Sequence, residues 1–412
     1  MSEERYEVRP LREHEFAAWV RTVGGSYGVD RDEADVARER AATELDRALG
    51  AFDGDEPVGG TTAHSRLMAV PGAVAPVAGV TSVGVAPTHR RRGVLTALMR
   101  RQLTDVYESG AEPVAALRPS EAAIYGRFGY GLASRGAIIR LDTRTARLRP
   151  GAGTGDGRVR LLAEREARPL LERVYAAAMP ELPGWPDRAA RFWDARLGDD
   201  PGSRAGASAL RYAVHRDGAG TPTGYALYRY AQEGEDAVVR VVELATTTRE
   251  AYAALWEFLI GVDLYPVVSY EGALDEALPH LLTDPRAAHT VAEDRLWVRL
   301  VDVERALAAR RYAVPLDVVL EVADPFCPWN AGRFRLSADG TGASCHRTSA
   351  AADLRLSAAE LGAAYLGGTS PATLGRAGLA EELRPGTLRR CALAFRGERE
   401  PYYPGGWAYP AY

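Results

Sequence analysis

Two stretches of this 412-residue chain carry residue types at spacings that can do chemistry. The first reads Val80-Thr81-Ser82-Val83-Gly84-Val85-Ala86-Pro87-Thr88-His89-Arg90-Arg91-Arg92-Gly93-Val94-Leu95-Thr96-Ala97-Leu98-Met99-Arg100-Arg101. Its β-branched opening predicts a strand. Pro87 ends ladder pairing because it brings no N–H, and Val94, Leu95, Leu98 and Met99 recur at the spacing of one helix face. A strand therefore feeds an arginine-rich turn that opens a helix. The first N–H groups of a helix lack partners and sit at its positive end, so they attract an anion. Gly93 lets the backbone come close, and three arginines can add charge-assisted bonds of about 1.5–3 kcal/mol each. The chemistry on offer is that of a pyrophosphate cradle. The same residues also read as a solvated basic patch ahead of an ordinary helix. A nucleic-acid surface fits less well, because the basic run is short and the whole chain is acidic.

The second stretch reads Leu117-Arg118-Pro119-Ser120-Glu121-Ala122-Ala123-Ile124-Tyr125-Gly126-Arg127-Phe128-Gly129-Tyr130-Gly131. Ser120 reads as a helix cap and Glu121 as a carboxylate near the positive helix end. Gly129 and Gly131 keep that helix short. On its residues alone, Tyr125 reads as a core tyrosine on a short helix.

The elements around these stretches follow from periodicity and turn residues. Tyr6–Arg9 predicts a first strand, followed by a helix through Phe16, Trp19 and Val20. The region Gly24–Glu44 is mixed, with a charged helical stretch over Asp30–Leu45. Ala48–Phe52 and Val58–Met68 predict antiparallel strands around Asp53-Gly54-Asp55, and Pro113–Leu117 predicts a strand after the first chemical helix. Pro150–Gly157 is a glycine-rich joint. Past it come a strand at Arg158–Leu162, a helix at Glu164–Ala178 and a hairpin of Tyr212–His215 with Gly224–Tyr230. Val238–Ala245 then feeds a helix at Arg249–Leu259, repeating the strand–turn–helix order of the first domain. Its turn, Thr246-Thr247-Thr248-Arg249, has no glycine to admit a pyrophosphate, so this copy is expected to pack rather than bind. From Arg295–Val301 onward, strands at Leu316–Val322, Gly332–Leu336 and Leu354–Leu356 precede helices near Ala358–Leu366, Pro371–Ala377 and Leu383–Phe395. That order suits a separate α+β domain. The boundaries expected are 1–149, 150–292 and 293–412.

Composition narrows the chemistry. Hydrophobic residues at 46% and charged residues at 26% describe a globular protein with ample core. No apolar run reaches membrane-spanning length and no basic-then-apolar signal opens the chain, so a cytoplasmic protein without membrane association is expected. Cys327, Cys345 and Cys391 are odd in number and widely spaced, which suggests neither a disulfide framework nor a metal site. Cys345 and His346, adjacent on a strand, would point apart. The sequence contains no lysine, so all 51 basic residues are arginine. That removes Schiff-base chemistry and the usual P-loop lysine, but leaves a phosphate site built from arginine and backbone N–H groups intact.

Arg90-x-x-Gly93 resembles the Arg/Gln-x-x-Gly-x-Gly/Ala turn of the GNAT acetyltransferases, with Leu95 standing where that family has Gly or Ala. The segment Ile124–Tyr130 resembles the element that follows the fifth strand in the same enzymes. Together, Thr88–Gly93 and Ser120–Gly131 are similar to the enhanced intracellular survival (Eis) family of actinobacterial N-acetyltransferases. The resemblance implies an α/β (α+β) fold with tandem GNAT domains, the second degenerate, followed by a sterol-carrier-like α+β domain. It implies acetyl-coenzyme A as cosubstrate, held by Val83, Gly84 and Val85 through the pantetheine arm and by Arg91, Arg92, Gly93, Val94, Leu95 and Thr96 through the pyrophosphate. Ser120 and Glu121 complete that set. Tyr125 is implied as general acid, and the α-carboxylate of the C-terminal Tyr412 as base. The closing segment Glu400–Tyr412 carries Trp407 and four tyrosines, too apolar for a free tail; packing by its aromatics is the plainer reading. The acceptor expected is a cationic small-molecule amine such as an aminoglycoside, with no nucleic-acid partner, and the family implies a homo-oligomer, a hexamer. The competing readings are a protein or peptide lysine acetyltransferase and a non-catalytic acyl- or lipid-binding protein.

Overall fold

The computed structural model describes residues 6–405, which build three sheets. The first sheet opens with β1 (Glu7–Pro10), then helices α1 (Phe16–Ser26) and α2 (Glu33–Ala42). An antiparallel meander follows, β2 (Ala48–Asp53), β3 (Glu56–Val70) and β4 (Ala73–Val85). Helix α3 (Val94–Ser109) crosses over and delivers β5 (Val114–Leu117) parallel to β4. The short α4 (Ala122–Tyr125) and β6 (Gly131–Leu132) come next. Trp19 packs where only glycine fits on β3, since a side chain at Gly60 would run into its indole. α1 therefore covers one face of the sheet, while Val94 and Leu98 of α3 press on Gly59 from the other.

The chain then leaves the sheet before its first domain is complete. β7 (Arg135–Asp142) lies inside the second sheet, between strands β12 (Val267–Ala273) and β13 (Ala288–Asp294). Ala137, Ile139 and Leu141 alternate inward against Tyr228, Trp256 and Leu259. The rest of that sheet comprises β8 (Arg158–Leu162), β9 (Arg211–Arg216), β10 (Pro222–Glu233) and β11 (Asp236–Thr246), in the order β13-β7-β12-β11-β10-β9-β8. It is dressed by α5 (Glu164–Ala178), α6 (Ala190–Leu197), α7 (Arg249–Ile260) and α8 (Leu278–Leu281). The strand–turn–helix repeat is present as β11 and α7, and Thr248 caps α7 through the N–H of Ala251 at 3.2 Å.

β14 (Trp297–Leu300) returns to the first sheet, wedged between β5 and β6, and gives the order β1-β2-β3-β4-β5-β14-β6. The stretch Arg295–Val301, expected to open the third domain, thus finishes the first, and the segment before residue 149 starts the second. Pattern alone identifies such a strand but not the sheet it joins, because Val298 and Leu300 would be buried in either.

The third unit runs α9 (Val303–Ala308), β15 (Leu316–Ala323), β16 (Gly332–Ala338), β17 (Ala343–Arg347) and β18 (Leu354–Ser357). It ends with α10 (Ala358–Tyr365), α11 (Pro371–Arg376), β19 (Ala380–Glu382) and α12 (Thr387–Phe395). The expected order of strands before helices holds for β15–β18 and α10–α12, with α9 added in front and β19 inserted before α12; Cys345 is buried while His346 faces out. This unit shares a core with the first sheet: Val77, Val114 and Val298 pack in one cluster with Leu320, Leu361 and Phe395. The closest approach is glycine on backbone. A Cβ at Gly131 would sit on the carbonyl of Ala359, and one at Gly362 on the carbonyl of Val298. Gly362→Val is therefore expected to force α10 off the sheet and to cost at least about 1–3 kcal/mol. A lower urea midpoint measures that loss; an unchanged midpoint would mean that α10 does not bear on β14.

Candidate active site

β4 and β5 pair only through Val77–Gly79 opposite Val114–Ala116. Beyond Gly79 they part, and β4 runs on to Val85 with β3 as its neighbour. The parting has a local cause. Thr62 opposes Thr81 and Gly60 opposes Gly84, so Ser82 and Val83 together face Thr61. This is a β-bulge, with Ser82 held at a left-handed φ of 52°, and a bulge increases twist and bends the strand that carries it. β5 meanwhile pairs on its other edge with β14, from Val114 to Leu117. The result is a fork open toward the start of α3.

The α3 turn stands at the mouth of this fork. Arg91 and Gly93 both have left-handed backbone, φ 61° and 89°, which turns successive N–H groups toward one side as in an anion-binding nest. The first helical bond is donated by the N–H of Ala97 to the carbonyl of Gly93 at 3.0 Å. The N–H groups of Val94, Leu95 and Thr96 have no partner among the described residues. Open space surrounds the position a Cβ of Gly93 would take. Arg91 and Arg92 are exposed and bond no described residue, whereas Arg90 is committed to the fold: its Nη2 donates to the carbonyl of Ser26 at 2.7 Å and its Nε to that of Val85 at 3.4 Å. One arginine pins the turn to the end of α1, and two remain for an anion. Leu95 packs with Val83 and Ile124 against the core that holds Tyr125 and Phe128, an apolar wall below the turn. These residues fit a pyrophosphate followed by a slender, largely apolar arm.

Tyr125 closes the fork from the β5 side. It is buried, with its ring edge-on to Tyr130 at 6.0 Å, and its hydroxyl bonds no described residue. Burial, then the neighbouring Tyr27 and Glu121, hold its pKa above the ordinary tyrosine value, so it keeps its proton at neutral pH. The expected cap is displaced by one residue. Glu121, extended at φ −135° and ψ 112°, occupies the N-cap position of α4 without a side-chain cap bond, and Ser120 lies outside the helix. Both are exposed at the mouth.

The other face of β4 carries groups that sequence reasoning left unassigned in the mixed region Gly24–Glu44. Val83 and Val85 pack on the α3 side. Gly84, in contrast, faces α1, where a Cβ would run into the hydroxyl of Ser26. Ser82 Oγ donates to Glu39 Oε1 of α2 at 3.1 Å, and Tyr27 donates its hydroxyl to the carbonyl of Val83 at 2.5 Å. A glycine in a β-branched strand is a usable sign of the bulge; no spacing in the sequence gives the address of Glu39. Further along this face His64 is buried. Burial, then Arg66, Arg191 and Arg47, push its pKa down to about 3.

The chain end approaches from the second sheet. The N–H of Tyr402 donates to the carbonyl of Pro183 and its hydroxyl to that of Glu271, each at 2.9 Å, and Tyr403 is buried beside Arg66. Tyr412 lies outside the described residues. Among the described residues no group of three or more His, Cys, Asp or Glu side chains is placed to hold a metal, and no helix is long and apolar enough to cross a membrane.

Known protein families match the chain in three consecutive segments. The family model for the acetyltransferase (GNAT) domain matches residues 7–133, a second acetyltransferase (GNAT) model matches 184–300, and the sterol carrier protein domain matches 303–404. The chain is 45% identical over 411 residues to an uncharacterized N-acetyltransferase of Streptomyces avermitilis, covering 97% of this chain and 99% of the relative. It is 38% identical over 357 residues to the N-acetyltransferase Eis of Mycobacterium bovis, covering 85% of each. The crystal structure of Eis1 from Mycobacterium abscessus superposes with a TM-score of 0.85 at 35% identity, over 97% of this chain and all of that one.

The burial of His64 has a pH consequence. Its folded pKa is depressed, so the unfolded chain binds the extra proton first, and stability is lost as pH falls from about 6.5 toward 3. Imidazole NMR is expected to show His64 neutral at pH 5; a ring that titrates near 6.5 would contradict the buried site.

Proposed function

The chain belongs to the Eis family of GNAT N-acetyltransferases, and from that premise we propose that it transfers the acetyl group of acetyl-coenzyme A to an amine of a cationic small molecule, an aminoglycoside being the class it suits. That the protein is an N-acetyltransferase follows from its relatives. The observation that carries the finer reading is the convergence at one fork of three unpaired helix N–H groups, a bulged strand and a buried, protonated tyrosine.

In this reading Val94–Thr96, Arg91 and Arg92 take the pyrophosphate, with Gly93 admitting it. The backbone of Val83–Val85 guides the pantetheine arm and the thioester, and Ser120 and Glu121 flank the entrance. The acceptor nitrogen attacks the thioester carbon from the α1–α2 face. The carbonyl π electrons move to oxygen and return as the C–S bond breaks, and sulfur takes a proton from Tyr125. A free tyrosine near 10 and a thiol near 8.5 are comparable acids. Burial raises Tyr125 above that ordinary value, so it holds its proton until the departing thiolate forms beside it.

The base proposed is the α-carboxylate of Tyr412. What supports it is reach. Tyr403 is beside Arg66, and the seven residues 406–412 can span about 23 Å when extended. From Arg66 to Thr62, which opposes Thr81 near the bulge, is four residues of strand, about 13 Å. An α-carboxyl near 3.5 is a weak base toward an alkylammonium, so it acts on the acidified nitrogen of the tetrahedral intermediate.

Release of coenzyme A thiol with aminoglycosides, polyamines and lysine peptides tests the reading. The protein has no lysine of its own to consume acetyl groups. Turnover with lysine peptides alone would make it a protein acetyltransferase, and acyl-ligand binding without turnover would favour the carrier-like unit as the working site.

Three variant sets separate the parts. Gly93→Val forces a β-branched residue into left-handed backbone and puts a side chain where the pyrophosphate lies, so KM for acetyl-coenzyme A is expected to rise at least tenfold while KM for the amine holds. Tyr125→Phe is expected to keep the fold and lower kcat by about 10²–10⁴, and wild-type turnover would return Tyr125 to the core. A C-terminal tag, or deletion of Ala408–Tyr412, is expected to abolish turnover without weakening coenzyme A binding, whereas Tyr412→Phe retains activity. A fully active tagged protein would exclude the terminal carboxylate as base.

A further inference from the structure

The α1–α2 face of the bulge presents one carboxyl that the mechanism above does not use. Glu39 lies on α2, whose inner side packs Val36 into the core beside Trp19 and Phe16. One turn further, Glu39 is 8% exposed although it is a glutamate. Its Oε1 accepts from Ser82 Oγ at 3.1 Å, and no described residue donates to its Oε2. Buried carboxylates are ordinarily paired or fully hydrogen-bonded, because an uncompensated charge in low dielectric is costly. Here Ser82 holds one oxygen, and the other is not sealed in the core but open to a donor from outside. Burial is the largest influence and holds its pKa above the ordinary glutamate value; the bond from Ser82 and the charge of Arg31, in the loop between α1 and α2, favour ionisation without offsetting it, and Asp35, one turn earlier on α2, adds to the rise.

Other carboxylates around this sheet show the contrast. Glu44 receives Ser65 and Arg191, and Glu112 pairs with Arg47. Those carboxylates are consumed by the fold. Glu39 instead points its unused oxygen beside Ser82, the bulged residue adjacent to Val83, where the thioester would lie, on the face away from α3.

On the reading given under Proposed function, we infer that Glu39, steadied by Ser82, is the seat for the acceptor's amine, a specificity-determining carboxylate that receives a cationic nitrogen at the β4 bulge. An ammonium supplies the donors that Oε2 lacks and the positive charge that Arg31 supplies only in part. Acceptors with protonated amines are therefore selected over neutral ones, and their capture stabilises the ionised carboxylate.

The test uses the full-length protein with spermidine and an aminoglycoside as cationic acceptors and aniline as a neutral one. Glu39→Gln keeps the shape and removes the charge. It is expected to raise KM for both cationic acceptors at least tenfold, with KM for acetyl-coenzyme A and kcat/KM for aniline within twofold of wild type. The wild-type KM for spermidine is expected to rise as pH falls through the carboxyl's elevated titration range, and to be flat in that range for Glu39→Gln. Because burial penalises the charge, Glu39→Gln is expected to hold or raise the thermal midpoint; Glu39→Asp, which withdraws the carboxylate by one methylene, is expected to be intermediate in KM.

Calorimetric binding of spermidine to the coenzyme A-loaded protein gives a readout independent of turnover, with binding by wild type and at least tenfold weaker binding by Glu39→Gln expected. Unchanged spermidine affinity, or a lowered midpoint with unchanged KM, would make Glu39 a packing residue and overturn the inference while leaving the acetyltransferase reading standing. Failure of wild type to bind spermidine would overturn it as well. Absence of thiol release with every amine would instead defeat the function proposed above, and the binding result would still decide the role of Glu39.

Discussion

The whole site depends on β4 losing β5 as its neighbour after Gly79. A parallel pair that stayed zipped to Val85 would bury its own backbone groups and leave no fork. The bulge at Ser82 and Val83 bends β4 while β5 is held by β14 on its far edge. Every other feature follows from that divergence. The turn into α3 lies at the fork's mouth, Tyr125 lies on the β5 side of it, and Glu39 and Tyr27 reach the bulge from the opposite face. One irregular strand thus exposes the same few backbone atoms on two sides, as the proposed transfer between two substrates requires.

The fork is held open by parts of the chain remote in sequence. β14 arrives only after the entire second sheet has been built, and α10 presses on it and on β6 at glycine-to-backbone distance. The loop under Tyr125 rests on a buried pair between Arg299 of β14 and Asp324 just beyond β15. Gly129, at φ 82°, leaves room for that guanidinium, and Asp324 also accepts from the N–H of Cys327 at 2.9 Å. Removing one partner of such a pair leaves a bare charge in the core and costs about 3–5 kcal/mol. The sterol-carrier-like unit is therefore part of what holds the fork, and the tail anchored at Tyr402 ties the second unit to the same joint.

Much of this was legible from residue order, and the gaps have physical reasons. Helix Glu164–Ala178 and strand Arg158–Leu162 have the bounds that periodicity and turn residues predict. The strand–turn–helix proposed as the cradle was readable because its parts are local: a strand, a proline, a glycine and a helix face within twenty-odd residues. The exchange of β7 and β14 was not, since alternation reports that a strand has an inner face and is silent on which sheet supplies the neighbours. Ser120 failed as a cap because Glu121 adopts the extended backbone that a cap requires, a choice of dihedral rather than of residue type. Glu39 and Tyr27 were invisible for a different reason. Their meaning comes from Ser82 and Val83, more than forty residues away, and a charged position on a charged helix looks like any other until the strand beneath it is in place.

A crystal structure with coenzyme A bound tests the central claim most directly. The account predicts the pyrophosphate oxygens about 2.7–3.2 Å from the N–H groups of Val94, Leu95 and Thr96, the arm between β4 and β5, and the sulfur between Val83 and the hydroxyl of Tyr125. Coenzyme A seated elsewhere, or a sulfur remote from both the bulge and Tyr125, would contradict it.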